Sequence, residues 1–229
     1  MKSKAISLLL LVIFATTAVF SQPKEKLTEQ TRTLLKGVKF YDNPTAQQVQ
    51  HHIYFYQISQ NLAATAAVTT SKDIMCMDCP TYLSVFVFKN IGNKWQLTEK
   101  KLKLAIVGLY GNYPLREEIN FTAITPETFL LYYETLDNKN NIEYAYITTY
   151  YFDGKKLYPT GNVMIGQDNS SAISKTQDLH TWEAEYTITK GPGNLPKIIL
   201  DIQGYKGINQ YKDRQVYILN PKDKKFRKI

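Results

Sequence analysis

The stretch Tyr150-Tyr151-Phe152-Asp153-Gly154-Lys155-Lys156-Leu157 decides the fold class. Three consecutive aromatic residues favour a pleated, half-buried backbone over a helix. The Asp-Gly pair after them is the strongest hairpin signal in the chain, because a type I′ turn needs positive φ at both central residues and these two types tolerate it. Comparable reversals recur at Asn90-Ile91-Gly92-Asn93, at Asp137 to Asn141, at Gly191-Pro192-Gly193-Asn194 and at Asn220-Pro221-Lys222-Asp223. Antiparallel hairpins are therefore the expected unit of construction.

The runs between these reversals read as strands. Trp182, Ala184, Tyr186 and Ile188 alternate with Glu183, Glu185 and Thr187, the pattern of a strand with one face in the core and one in water. Tyr82 to Phe88 has almost no polar face, with Ser84 its only polar interior residue, so it is expected to lie centrally and to be covered on both sides. With seventeen tyrosines and ten phenylalanines, the chain as a whole leans towards strands. Phe86-Val87-Phe88, Tyr150-Tyr151-Phe152 and Val216-Tyr217-Ile218 each lead through a turn into a lysine-marked return run. This defines three degenerate units, about 62–107, 117–166 and 180–229, with the polar stretch 167–177 between the last two. A repeat of roughly 50 to 65 residues suits four-stranded propeller blades, but three blades are too few for ordinary closure. The fold expected is mainly β, an antiparallel hairpin-built sandwich or a propeller-like repeat of three units. An outer-membrane barrel fits poorly, since the closing run Lys224 to Ile229 is basic and lacks an aromatic girdle.

The N-terminal part reads differently. Lys2 and Lys4 precede an apolar run from Ala5 to Phe20 that ends in Val19-Phe20-Ser21, which has the layout of a secretory signal peptide with cleavage after Ser21. The run is short for a membrane span, which needs about 20 apolar residues. No cysteine lies near the cut to take a lipid, so a soluble secreted or periplasmic product is expected. Removing 21 of the 229 residues leaves 208, enough for a domain that buries roughly 70% of its unfolded surface. In 22–43, Leu27, Leu34, Leu35 and Val38 suggest a short amphipathic helix ending near Gly37. Asn43 and Pro44 then resemble a cap and first helical residue, and Ala46, Val49, Ile53 and Tyr56 fit a helix to about Asn61. A strand through Ile53, Phe55 and Gln57 competes with that helix. The expected division is a signal peptide at 1–21, an N-terminal helical segment at 22–61 and an all-β domain at 62–229.

The full chain carries 28 basic and 20 acidic residues, and loss of Lys2 and Lys4 lowers its charge from +8 to +6. That mild excess gathers modestly at Lys222, Lys224, Lys225, Arg227 and Lys228, which reads as a solvated strand end rather than a nucleic-acid arm. No nucleic acid and no further membrane span is expected.

Few residues carry a chemical signature. Cys76-Met77-Asp78-Cys79 is expected to oxidise to a local disulfide in an exported protein, and a loop this short stabilises by only about 2 kcal/mol. A thioredoxin-like dithiol would need a helix after the first cysteine, whereas Pro80 and a strand follow. Zinc would have to recruit the His51-His52 pair, and no metal or cofactor is expected. Asp178, His180 and Glu183 are the candidates for loop-borne acid–base chemistry, although adjacent polar residues at a strand start are common. Asp137 to Asn141 lacks the glycine and glutamate of a calcium loop and reads as a turn. No nucleophile elbow or phosphate-cradling glycine loop occurs. Asn120 and Asn169 head glycan-acceptor triplets. Tyr144, Tyr146, Tyr150 and Phe152 form an aromatic comb on one strand face, opposite Phe129, Leu131 and Tyr133. Core packing is the default for such rows, and an exposed part would suit sugars or a protein partner. The reading is an exported, non-catalytic binding module for a protein or glycan of the cell envelope. Its rivals are an envelope hydrolase and, less well supported, a thiol redox protein.

Overall fold

The computed structural model describes residues 23–42, 48–73, 79–108, 119–172 and 175–229. The expected signal peptide, Asn43, Pro44 and Cys76 lie outside these residues. The protein is mainly β, with two antiparallel sheets and one short helix near the N-terminus. Its described residues fall into two compact units. Residues 23–57 and 63–108 belong to the first, and 58–62 and 119–229 to the second.

In the first unit, helix α1 covers residues 23–35. Gly37 ends it at φ +77, a left-handed conformation that costs glycine little. Leu27 and Leu35 are buried, and Leu34 and Val38 pack on the same cluster, so all four apolar positions read from the sequence do face the core. Thr31, one turn beyond Leu27, is buried with them: its hydroxyl donates to the Leu27 carbonyl at 2.8 Å and meets Thr65 Oγ1 at 2.7 Å.

The first sheet has four strands, β1 (Val49–Ser59), β2 (Leu62–Ser71), β3 (Thr81–Ile91) and β4 (Lys94–Gly108), which follow one another in sheet order. β1 corrects the expectation of a helix to Asn61. Val49, Ile53 and Phe55 pack on the core from alternate positions, and pairing with β2 overrides a local period that suits either structure. β3 is interior as expected, and Leu83 to Phe88 are fully buried. Its polar residue has a structural partner. Opposite Ser84, β4 bulges, Lys103 takes φ +49, and the Lys103 N–H donates to Ser84 Oγ at 3.2 Å. The serine satisfies a donor that the bulge removes from the ladder.

The second unit is an eight-stranded sheet in strict chain order. Its strands are β5 (Ile119–Thr125), β6 (Thr128–Lys139), β7 (Ile142–Phe152), β8 (Leu157–Asp168), β9 (His180–Lys190), β10 (Pro196–Lys206), β11 (Asn209–Leu219) and β12 (Phe226–Lys228). No sheet closes on itself among the described residues. β8 and β9 share only three ladder pairs, Gly166 with Glu183, Gln167 with Trp182 and Asp168 with Thr181, whereas β9 and β10 pair along their whole length. Beyond that seam the two halves meet again through side chains. Ile147, Val163 and Ile165 share one apolar cluster with Ile198, Leu200 and Ile202, and Ile124, Leu130 and Tyr151 share another with Leu219. In β9 the expected alternation holds, with Glu183, Glu185 and Thr187 exposed and the intervening residues half-buried.

All five turn stretches form reversals, by different geometries. Gly92-Asn93 and Asn140-Asn141 each place both central residues at positive φ, as a type I′ turn requires. The Asp153-Gly154 reversal differs from the expected two-residue turn. It is a four-residue loop between Phe152 and Leu157 in which Gly154 alone takes positive φ. Asp153 acts through its carboxylate, whose Oδ1 accepts from Lys155 N at 2.9 Å and Lys156 N at 3.0 Å. Burial works against that charge, but the two N–H groups, together with the Lys224 charge and a hydrogen bond from Tyr158, hold the carboxyl below its ordinary value.

Candidate functional site

A groove of 520 Å³ runs over the β8–β9 seam. Ladder register builds it. Glu143, Asp168, Thr181, Tyr205 and Gln210 stand in one cross-strand row, and Ala145, Gly166, Glu183 and Gln203 in another. Residues directly opposite in an antiparallel ladder share a face. Trp182 sends its ring to the apolar cluster instead and lends the groove its backbone.

Two glycines shape the floor. A Cβ on Gly204 would lie 2.3 Å from the Thr181 carbonyl oxygen and 2.5 Å from Trp182 Cβ, so β9 and β10 approach there closer than any side chain permits. Gly166 is less tight, with the Trp182 carbonyl oxygen 3.3 Å from the same virtual atom. The rim is polar. Glu143, Asp168 and Glu183 are exposed, and none of the lining residues is basic. Two of these carboxylates accept local hydrogen bonds, Asp168 from Ser170 N at 2.8 Å and Glu183 from Gln203 Nε2 at 3.3 Å. Tyr205, 47% exposed, is also among the lining residues. The lining thus combines charged acceptors, amides that donate and accept, and one flat ring.

The aromatic comb is divided along β7. Phe152 is fully buried and stacked on Phe129 at 5.1 Å, and Tyr150, 8% exposed, stacks on Tyr133 at 6.3 Å. Burial beside Tyr150 pushes the Tyr133 hydroxyl well above its ordinary value. Tyr144 and Tyr146 are half-buried and stack on each other at 6.3 Å, so the solvent-accessible part of the comb is its first half. The predicted hairpin partner is correct: Phe129, Leu131 and Tyr133 lie opposite Phe152, Tyr150 and Thr148.

The acid–base candidates do not converge on one another. Asp178 sits in a 3-10 turn and its carbonyl accepts from Asn169 Nδ2 at 2.9 Å. His180 opens β9 with its Nε2 3.5 Å from the Tyr211 hydroxyl, and among the described residues no carboxylate bonds to its ring. Glu183 lines the groove, where Glu143 and Asp168 join it. Sequence reasoning missed those two because the rows that gather them exist only in the ladder. Asn169, the expected glycan acceptor, uses both ends of its amide, since Oδ1 also accepts from His180 N at 2.7 Å. Cys79 is buried, and its expected partner Cys76 lies outside the described residues. His51 is half-buried against Phe40, with Nδ1 2.9 Å from Thr69 Oγ1, and burial lowers its pKa. Among the described residues no three His, Cys, Asp or Glu side chains cluster as a metal site, and no helix is long and apolar enough to cross a membrane. The basic residues near the C-terminus find local partners: Arg227 pairs with Asp223, and Lys225 Nζ donates to the Pro159 carbonyl at 3.3 Å.

No family model, curated protein or solved structure matches the chain.

Proposed function

We propose that the protein is an exported, non-catalytic binding module that holds a polyhydroxylated ligand, a glycan of the cell envelope, in the groove over the β8–β9 seam. The observation that carries this reading is the composition of that groove: Glu143, Asp168 and Glu183 beside Gln203, Gln210 and the open ring of Tyr205, above a floor of glycine. Sugar hydroxyls donate to carboxylates and exchange hydrogen bonds with amides, and the C–H face of a pyranose stacks on a tyrosine ring. The signal-peptide pattern at 1–21 supports export. Tyr144 and Tyr146 supply a second pair of rings, where the comb reaches solvent. For the architecture we favour a two-layer arrangement of the eight-stranded sheet over a propeller, because β8 and β9 are hydrogen-bonded while side chains from both halves share two apolar clusters.

Glycan-array screening of the secreted protein tests this. A bound glycan should be held at least about tenfold more weakly by Tyr205→Ala and by Glu183→Gln, with unchanged circular dichroism. Equal binding in both variants removes the groove, and loss in Tyr146→Ala alone moves the ligand to the comb. The hydrolase reading gains its carboxylates from Glu143, Asp168 and Glu183 in one groove. Prolonged incubation separates the two: the binding module returns the glycan intact, and a cleaved product assigns the groove to hydrolysis.

A further inference from the structure

The tip of the β10–β11 hairpin carries a second cavity, of 620 Å³, lined by His180, Lys206, Asn209 and Tyr211. His180, Lys206 and Asn209 are direct ladder partners, and Tyr211 follows Asn209 by two residues, so the four share one face. The groove row Thr181, Tyr205 and Gln210 alternates with them in each strand and belongs to the opposite face. The groove and this cavity therefore lie on opposite faces of the sheet.

Every residue lining this cavity offers a hydrogen-bond donor: an ammonium, an amide, a phenol and an imidazole N–H. No carboxylate lines it. The nearest acid on β11, Asp213, lies outside the lining and accepts from Arg214 N at 2.8 Å and Gln215 Nε2 at 3.0 Å. Burial first, and then the Asp213 charge, raise the pKa of the Tyr211 hydroxyl, so that phenol keeps its donor proton. The backbone around the cavity is tied in place from both sides. Gly207 turns the hairpin at φ +63 and its N–H donates to the Leu179 carbonyl at 2.7 Å, while His180 N is held by Asn169. The rings of His180 and Tyr211 lie 6.2 Å apart. Donors held in position before a ligand arrives lose little freedom on binding. At the tip itself Ile208 is 82% exposed, an apolar neighbour for the organic part of an ester.

From this convergence we infer that the hairpin-tip cavity binds the tetrahedral oxyanion of a phosphate or sulfate ester. Lys206 supplies the charge, Asn209 and Tyr211 supply neutral donors, and His180 closes the ring of donors. The site is independent of the groove.

Titrating the mature, isotope-labelled chain with inorganic phosphate and with sulfate, followed by NMR and calorimetry, tests the inference. Saturable shifts should appear at His180, Lys206, Asn209 and Tyr211, and Lys206→Ala should weaken binding roughly tenfold or more. Lys212→Ala removes the same charge from the opposite face, where Lys212 pairs with Gln203, and should leave the affinity unchanged. Two further probes distinguish the source of the oxyanion. Capture by phosphatidylcholine vesicles containing phosphatidylglycerol, lost in Lys206→Ala, assigns it to a lipid headgroup, and tight binding of a sugar phosphate in solution assigns it to a soluble ester. Absence of saturable shifts with all four probes overturns the inference. So does equal weakening in Lys206→Ala and Lys212→Ala, which reduces the effect to diffuse charge.

Discussion

Single side chains account for features that look anomalous in the sequence. Ser84 interrupts an apolar run because the bulge in β4 needs an acceptor for the Lys103 N–H. Ser84→Ala should therefore lower unfolding stability by about 1–3 kcal/mol in urea titration, the cost of a buried donor left without a partner. Gly204→Ala should cost a similar roughly 1–3 kcal/mol, through the clash with Thr181 and Trp182 rather than through conformational freedom. Tyr41 gives a pH signature. Burial, aided by Tyr82, pushes its hydroxyl from the ordinary 10.0 up to about 12, and it donates to the Pro80 carbonyl at 2.7 Å. Between those two values the unfolded chain releases the proton while the folded chain keeps it. The contribution is thus fully present below pH 10.0 and is lost as pH rises towards about 12. Tyr41→Phe should make the alkaline decline in stability shallower, by up to about one proton in the slope.

Elements dock through contacts that the sequence only half announces. The leucines of α1 mark its apolar face, but its fit against β2 turns on the Thr31–Thr65 hydroxyl pair. Thr31→Val leaves the buried Thr65 hydroxyl without its partner and should destabilise the fold by about 1–3 kcal/mol. The double variant with Thr65→Val should recover much of that loss, because replacing both partners leaves nothing unsatisfied. A double-mutant cycle in denaturant measures the coupling, and additive losses would show the pair to be energetically independent. Turns behave similarly. Asn90 to Asn93 and Asp137 to Asn141 were legible because two-residue reversals need residues that accept positive φ, and Gly92-Asn93 and Asn140-Asn141 do so. Asp153-Gly154 kept its place and changed its geometry, since the Asp153 carboxylate capping Lys155 and Lys156 selects a longer loop. β1 was ambiguous for a different reason: Val49, Ile53 and Tyr56 satisfy a helical spacing, while the neighbouring strand that decides the matter begins at Leu62.

Across the whole molecule, the mild positive charge says little, because it is distributed without regard to either cavity. The groove is lined by acids and the hairpin-tip cavity by donors, within one chain of net charge +8. Export is the largest-scale expectation. Expression in a host with a secretory pathway should yield a product whose N-terminal residue is Gln22 by mass spectrometry, and retention of Met1 to Ser21 on the secreted protein would contradict it.

Alternating side chains, turn residues and an aromatic-rich composition by themselves determined a mainly β protein built from consecutive antiparallel hairpins, with a short helix before them. Those signals are local, set by steric preferences over a few residues. The choice of strand for β1, the gathering of Glu143, Asp168 and Glu183 at one seam, and the division of the tyrosine comb into a buried and an open half were decided only by tertiary structure. Each depends on which strand lies opposite which, and that register is chosen by apolar burial summed over residues far apart in the chain.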